Sequence, residues 1–106
     1  MIVEIRTYRL KPNSGQAFLR VFREQARPLL EKHGLRVVDC DLSLHDENEA
    51  YLIRAFDSLE QREAQETAFY SSDDWINGPR EAVLSLIEAY HTVVLDADRL
   101  PAPSHG

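Results

Sequence analysis

Glu4, Arg6 and Tyr8 stand two residues apart in the opening stretch VEIRTYRL. In extended backbone that spacing puts them on one face, with neighbours about 7 Å apart because each residue rises about 3.3 Å. A carboxylate beside a guanidinium stays ionised, and in a sheltered place it could orient a substrate or take a proton from it. The same trio would equally serve as an ion pair that stitches two surfaces together. His91, between Tyr90 and Thr92, could be a general base or a haem ligand. It also reads as a satisfied histidine of a core or an interface, since no second histidine or carboxylate sits at ligand spacing from it. Glu4, Arg6 and His91 are therefore the catalytic candidates. Arg6, Tyr8, Arg54, Asp41 and Trp75 are the ligand-binding candidates. Asp39 and Asp41 alternate in an extended stretch. They would balance Arg6 and Arg54 inside a cavity, or guard a solvated strand edge against aggregation. Trp75, with Phe69 and Tyr70, would cap a pocket and stack on a flat ligand, or be plain core.

These residues need elements to position them. Period-two alternation and β-branched content predict a first strand over residues 2–10. The KPNSG turn ends it at Pro12 and Gly15. Apolar residues at helical spacing from Phe18 to Leu30 predict a helix over 14–33, kinked or restarted at Pro28 and stopped at Gly34. Residues 35–44 and 51–56 read as two strands of a hairpin around the polar HDENEA turn. Ser58 with Gln61 three residues on is a capping-box signature and opens a helix of strong formers to Tyr70. Its charged stretch reads as a solvated face, with Arg62 anchoring a loop. A shorter helical segment follows over about 79–88, and a fourth strand over 89–97. The order βαββαβ predicts an α+β, ferredoxin-like domain: a four-stranded antiparallel sheet with its helices on one face.

On the first strand, Val3 and Ile5 suit the helix side, so Glu4, Arg6 and Tyr8 are expected on the opposite face, with Arg6 in reach of Glu4 or an aspartate of the second strand. In the fourth strand Val93 and Leu95 alternate with Thr92 and Val94. A strand apolar on both sides is buried on both sides, and one short chain has nothing left to cover the second face. A second copy would do so, which implies a homodimer with its sheets face to face and a partly hydrated cavity between them.

The bulk composition agrees with one soluble domain over residues 1–98 and a loose tail over 99–106. The chain has 106 residues and a formal net charge of −6. That charge argues against nucleic-acid and anionic-membrane partners. No apolar run is long enough to span a bilayer, and the amino-terminal stretch lacks the pattern of a signal peptide. A cytoplasmic protein is expected. The single cysteine, Cys40, can form no internal disulfide and reads as a small core residue. His33 suits a helix C-terminus, His45 a turn and His105 the tail. No metal site and no cofactor are expected.

EIRTYRLKPNSG resembles the opening motif of the NIPSNAP family, a Glu-Leu-Arg-Thr-Tyr strand followed by a Lys-Pro-Gly turn. FDSLEQREA is similar to that family's Tyr-Asp-Ser-Leu-x-x-Arg segment, and DDW, ending at Trp75, to its Asp-x-x-Trp region. KHG at 32–34 fits the end of its first helix. The likeness runs from residue 3 to about 95. It implies a dimeric α+β barrel, in which two ferredoxin-like sheets close on each other. It also implies a departure: Arg54 stands where the family usually carries an aromatic residue, often Trp, which makes the pocket more cationic. Barrels of this superfamily include cofactor-independent monooxygenases, isomerases, cyclases and haem-dependent enzymes, so the resemblance implies a pocket and not one reaction. The expected function is binding of a small, partly aromatic or acidic organic molecule, with oxygenation or isomerisation as possible chemistry. The alternative is a non-enzymatic binding or interaction module whose polar strand locks the dimer.

Overall fold

A computed structural model describes residues 1–99. Strand β1 (Ile2–Leu10) leads through a turn with Asn13 at positive φ into helix α1 (Gly15–Val21). A π-helical turn over Phe22–Ala26 follows, and the helix restarts as α2 (Arg27–Lys32) with Pro28 in its first turn. The restart is where proline belongs: its missing N–H costs nothing in a first turn, whereas mid-helix it would break the ladder. Gly34 ends α2 at φ 84°, a conformation that a side chain disfavours. Strands β2 (Arg36–Leu42) and β3 (Glu49–Phe56) form the hairpin. Helix α3 (Leu59–Tyr70) begins at Ser58, whose hydroxyl accepts from the Gln61 N–H, while the Gln61 side chain reaches back to the Asp57 N–H. The single turn α4 (Asp73–Ile76) and the short α5 (Arg80–Leu84) precede strand β4 (Ile87–Asp96).

The sheet is antiparallel in the order β2-β3-β1-β4, with the helices on one face. This is the ferredoxin-like α+β fold expected from the sequence. The last helical segment is shorter than predicted and β4 starts earlier, at Ile87. The expected 99–106 tail lies outside the described residues apart from Arg99. Among the described residues, no helix is long and apolar enough to cross a membrane.

Phe18, Phe22, Leu30, Leu10, Leu52, Phe56 and Phe69 form the centre of the core between sheet and helices. Their burial supplies the main driving force, about 1.5–3 kcal/mol for each large apolar side chain. A bulge between Val37 and Asp39 resets β2. Val37 then packs against the core and Val38 turns outward, 58 % exposed, so strict alternation along the 35–44 strand, which would put Val38 on the same side as Cys40, does not hold. Cys40 itself is buried, as expected, and burial pushes its thiol up to about 12.

The phase of β1 is opposite to the expectation. Glu4, Tyr8 and Leu10 are buried on the helix side, with Arg6 beside them. Val3, Ile5 and Thr7 lie on the open face, opposite Ala55, Ile53 and Tyr51 of β3 and Leu95, Val93 and His91 of β4. The physical reason is pairing. A buried charge needs a partner, and α3 brings counter-charges to the helix side while the open face of the sheet centre offers only Val, Ile, Ala and Leu.

Candidate functional site

Helix α3 carries Arg62, Glu66 and Tyr70 at intervals of four, one stripe along the side turned to the sheet. Under it, β1 presents Glu4 and Arg6, and β3 presents Arg54 across from Glu4. Arg54 is the hub. Its Nε donates to Glu4 Oε1 at 3.0 Å, its Nη2 to Glu66 Oε1 at 2.6 Å and its Nη1 to the Tyr70 hydroxyl at 2.8 Å. Arg62 Nε donates to Glu4 Oε2 at 2.6 Å and lies 2.9 Å from Glu66 Oε2. Arg6 is held more loosely. Nε reaches Thr92 of β4 at 3.2 Å, Nη1 the Tyr70 hydroxyl at 3.3 Å and Nη2 Glu66 at 3.3 Å.

Among the described residues, every buried side-chain polar atom has a hydrogen-bond partner. Burial alone would push the Glu4 carboxyl up, but the adjacent Arg54 guanidinium overrides it and holds the group down at about 2. For Glu66, burial dominates: with the Glu4 charge it outweighs Arg54 and Arg62, and the carboxyl is raised. Burial opposes the Arg54 charge, yet Tyr70 and the two carboxylates outweigh it and keep it firmly charged. Burial also raises the Tyr8 hydroxyl well above the usual phenol range.

Beside this network opens a cleft of about 550 Å³, within the size range of small-molecule sites. Arg6 and Tyr8 line it from β1, Arg62, Glu66 and Tyr70 from α3, and Trp75 from α4. Arg80, Val83 and Leu84 of α5 and Ile87 and Tyr90 of β4 complete the wall, with Glu63 and Thr67 at the rim. The Arg6 guanidinium carbon lies 5.8 Å from the Tyr70 ring centre and 5.0 Å from that of Tyr90, so two aromatic faces hold the cation. Trp75 packs edge-on to Tyr70 at 5.4 Å and against Phe69 at 5.5 Å. It is at once core and cleft wall, which joins the two readings its sequence position allowed.

The structure thus gathers Arg6, Tyr8 and Trp75 in one cleft and places Glu4 and Arg54 directly beneath it. Glu4 and Arg54 are fully buried and hold the lining residues, where the sequence reading had Arg54 touching a ligand and Glu4 in catalysis. His91 and Asp41 are not part of this site. His91 is exposed on the open face opposite Thr7. Asp41 lies at the β2 edge, 3.8 Å from Arg23, because an odd-numbered step along each strand sends these side chains to the far side of the sheet. Asp39 lies there too and accepts from the Tyr51 hydroxyl at 2.6 Å. Among the described residues, no group of three or more His, Cys, Asp or Glu could hold a metal.

Sequence reasoning missed Glu66 and Tyr90, named Tyr70 only as part of the aromatic cluster around Trp75, and gave Arg62 only a loop to anchor. The signal was present in α3: a polar stripe at positions 62, 66 and 70 matches the polar stripe of β1 at positions 4, 6 and 8. Tyr90 follows from the register, since it pairs with Tyr8.

The NIPSNAP family model matches residues 3–97. Among solved structures, a NIPSNAP family protein with unknown function from Agrobacterium tumefaciens is 28 % identical, with 90 % of this chain and 86 % of that one covered and a TM-score of 0.81. An uncharacterized NIPSNAP domain protein from Burkholderia xenovorans is 22 % identical over 96 % of this chain and 100 % of that one, with a TM-score of 0.83. An antibiotic biosynthesis monooxygenase, 18 % identical over 95 % and 100 % of the two chains, shares the fold at a TM-score of 0.65. Among curated proteins, no sequence matches the chain.

Proposed function

The chain belongs to the NIPSNAP family, and we propose that it binds a small, partly aromatic organic molecule in the cleft beside Arg6. The observation that carries this reading is the cleft itself: about 550 Å³, walled by Tyr70, Trp75 and Tyr90, with the Arg6 guanidinium held between the Tyr70 and Tyr90 rings and Arg62 and Arg80 also on the lining. Aromatic walls give a flat ligand area and stacking, and the few polar groups fix its orientation. The Glu4–Arg54–Glu66–Arg62 lattice fixes Tyr70 through Arg54 and braces Arg6 more loosely through Glu66, which pre-orients the binding groups.

Turnover is the finer question. The chemistry carried in this proposal is oxygenation or isomerisation without a cofactor. One observation favours a binding module instead. The Glu4 and Glu66 carboxylates spend their oxygens on arginines, which leaves neither free to take a proton from a ligand.

The working unit in this proposal is a homodimer in the cytoplasm. Val3, Ile5, Ile53, Val93 and Leu95 make the centre of the open face apolar, and Val93 is 56 % exposed in the single chain. A second copy would cover this face and leave the cleft, on the helix side, accessible.

Trp75 is the one tryptophan of the chain, so its indole N–H signal reports on the cleft without a label. A library of one- and two-ring compounds titrated into ¹⁵N-labelled protein is expected to shift that signal and those of Arg80 and Tyr90. Shifts confined to His91, Val93 and their neighbours, or none at all, would contradict the reading. Mass spectrometry of the binders after incubation in air then separates oxygenation from plain binding, and chromatography of the same samples reveals isomers.

A further inference from the structure

The network beneath the cleft contains three guanidiniums, Arg6, Arg54 and Arg62, and two carboxylates, Glu4 and Glu66. The carboxylates are spent at short range on Arg54 and Arg62. The cation left over is Arg6. Its contacts are the long ones, at 3.2–3.3 Å, its side chain is 14 % exposed, and it lines the cleft beside Arg62, whose guanidinium is paired at short range with both carboxylates. The ion pairs of Arg6, 3.3 Å to Glu66 and 3.9 Å to Glu4, are to carboxylates already shared with Arg54 and Arg62, and a sheltered charge that is weakly paired is costly. Tyr70 adds a second signal. Its hydroxyl accepts from both Arg54 and Arg6, and among the described residues it takes part in hydrogen bonds only as acceptor. A weakly paired cation and a phenol with an unspent donor therefore meet at one point of the cleft wall. Arg80, at the rim, makes no ion pair among the described residues. Glu63 is the rim's opposing charge, and it is exposed.

We propose that the cleft is a receptor for a flat organic anion, whose carboxylate or phenolate oxygen sits against the Arg6 guanidinium and the Tyr70 hydroxyl while its ring lies among Tyr90, Trp75 and Tyr70. This rests on the small-molecule reading above and adds the charge of the ligand and the direction it faces. The anion completes the charge balance of the network. The local field works against the overall charge of −6, so selection for an anion has to come from these few groups at close range, where charge-assisted hydrogen bonds are strongest.

The test is a calorimetric comparison of 2-naphthoate with 2-naphthamide, near-isosteres that differ in charge, with the Trp75 indole signal confirming where each binds. The naphthoate is expected to bind at least about tenfold more tightly, which corresponds to about 1.4 kcal/mol. Arg6→Gln is expected to reduce that preference to less than about twofold. Should Arg6→Gln fail to fold, Tyr70→Phe removes one hydroxyl and is expected to weaken the naphthoate about three- to tenfold and the amide not at all. Equal binding of the two compounds, a preference for the amide, or a preference that survives Arg6→Gln or Tyr70→Phe unchanged would overturn the anion assignment and leave the small-molecule reading standing. Absence of binding by both compounds at millimolar concentration would overturn both.

Discussion

Arg54 Nη2 donates to Glu4 Oε1 and to Glu66 Oε1 at once, so a guanidinium from β3 lies between two carboxylates and ties strand β1 to helix α3. The guanidinium is fully buried and so is Glu4. This pairing sets which face of β1 is covered, and through Tyr70 and Arg62 it fixes the wall of the cleft.

Removing the hub alone is expected to be severe. Arg54→Met leaves Glu4 and Glu66 facing each other with one close cation fewer, at a cost of about 3–5 kcal/mol. Adding Glu4→Leu to that variant removes the stranded charge and is expected to recover most of the loss, because Glu66 keeps Arg62 and Arg6. Urea denaturation of the two variants measures both. A double variant less stable than the single one would show that Glu4 is held by more than this pair.

Stability is expected to depend on acid through Glu4. Its carboxyl is held at about 2 in the fold against an ordinary 4.5, so as pH falls the unfolded chain takes up the proton first. Glu4's contribution is therefore complete above pH 4.5 and is lost progressively towards pH 2. Glu66, raised in the fold, acts in the opposite sense just above its ordinary value and partly offsets the slope. Glu4→Gln is expected to be less stable than the natural chain by about 3 kcal/mol at neutral pH. The two stability curves should converge near pH 2, as followed by circular dichroism. Curves that stay parallel through the acid range would refute the assignment.

The open face of the sheet should be the dimer face. Light scattering is expected to give about twice the 12.2 kDa chain mass, and Val93→Glu to give a folded monomer, since Val93 is half exposed in the single chain. A natural chain that is already monomeric at micromolar concentration would remove this part of the proposal.

His91 is expected to be silent in the cleft. His91→Ala should leave the affinity of any cleft ligand unchanged, because the side chain points away from Arg6 across the sheet. A loss of affinity with the dimer intact would place a second binding surface on the open face.

Much of the fold is legible in the residues themselves. Ser58 and Gln61 mark the start of α3, Pro28 the restart of the first helix and Gly34 its stop, because each acts through local backbone chemistry. The phase of β1 is not legible in this way. Alternation shows that Glu4, Arg6 and Tyr8 share a face, but it cannot say which face is covered. The hydrophobic rule assigns the helix side to Val3 and Ile5, and here it loses to a long-range term, the counter-charges of α3. The bulge at Val37–Asp39 is likewise set by the pairing with β3 and leaves no mark in the spacing of Val38, Cys40 and Leu42. Of the site, Arg6, Tyr8 and Trp75, with Tyr70 as an aromatic neighbour, could be found from residue type, while Glu66 and the role of the Tyr70 hydroxyl hide in a helix whose charges look solvated until its partner strand is known.

The most direct measurement is a crystal structure of the protein grown with the tightest compound from the cleft titration. The account predicts that the compound lies between β1, β4 and α3, with ordered contacts to Arg6, Trp75 and Tyr90 and the Glu4–Arg54 pair intact beneath it. A compound seated on the open face near His91 and Thr7, with the cleft beside Arg6 left empty, would contradict it.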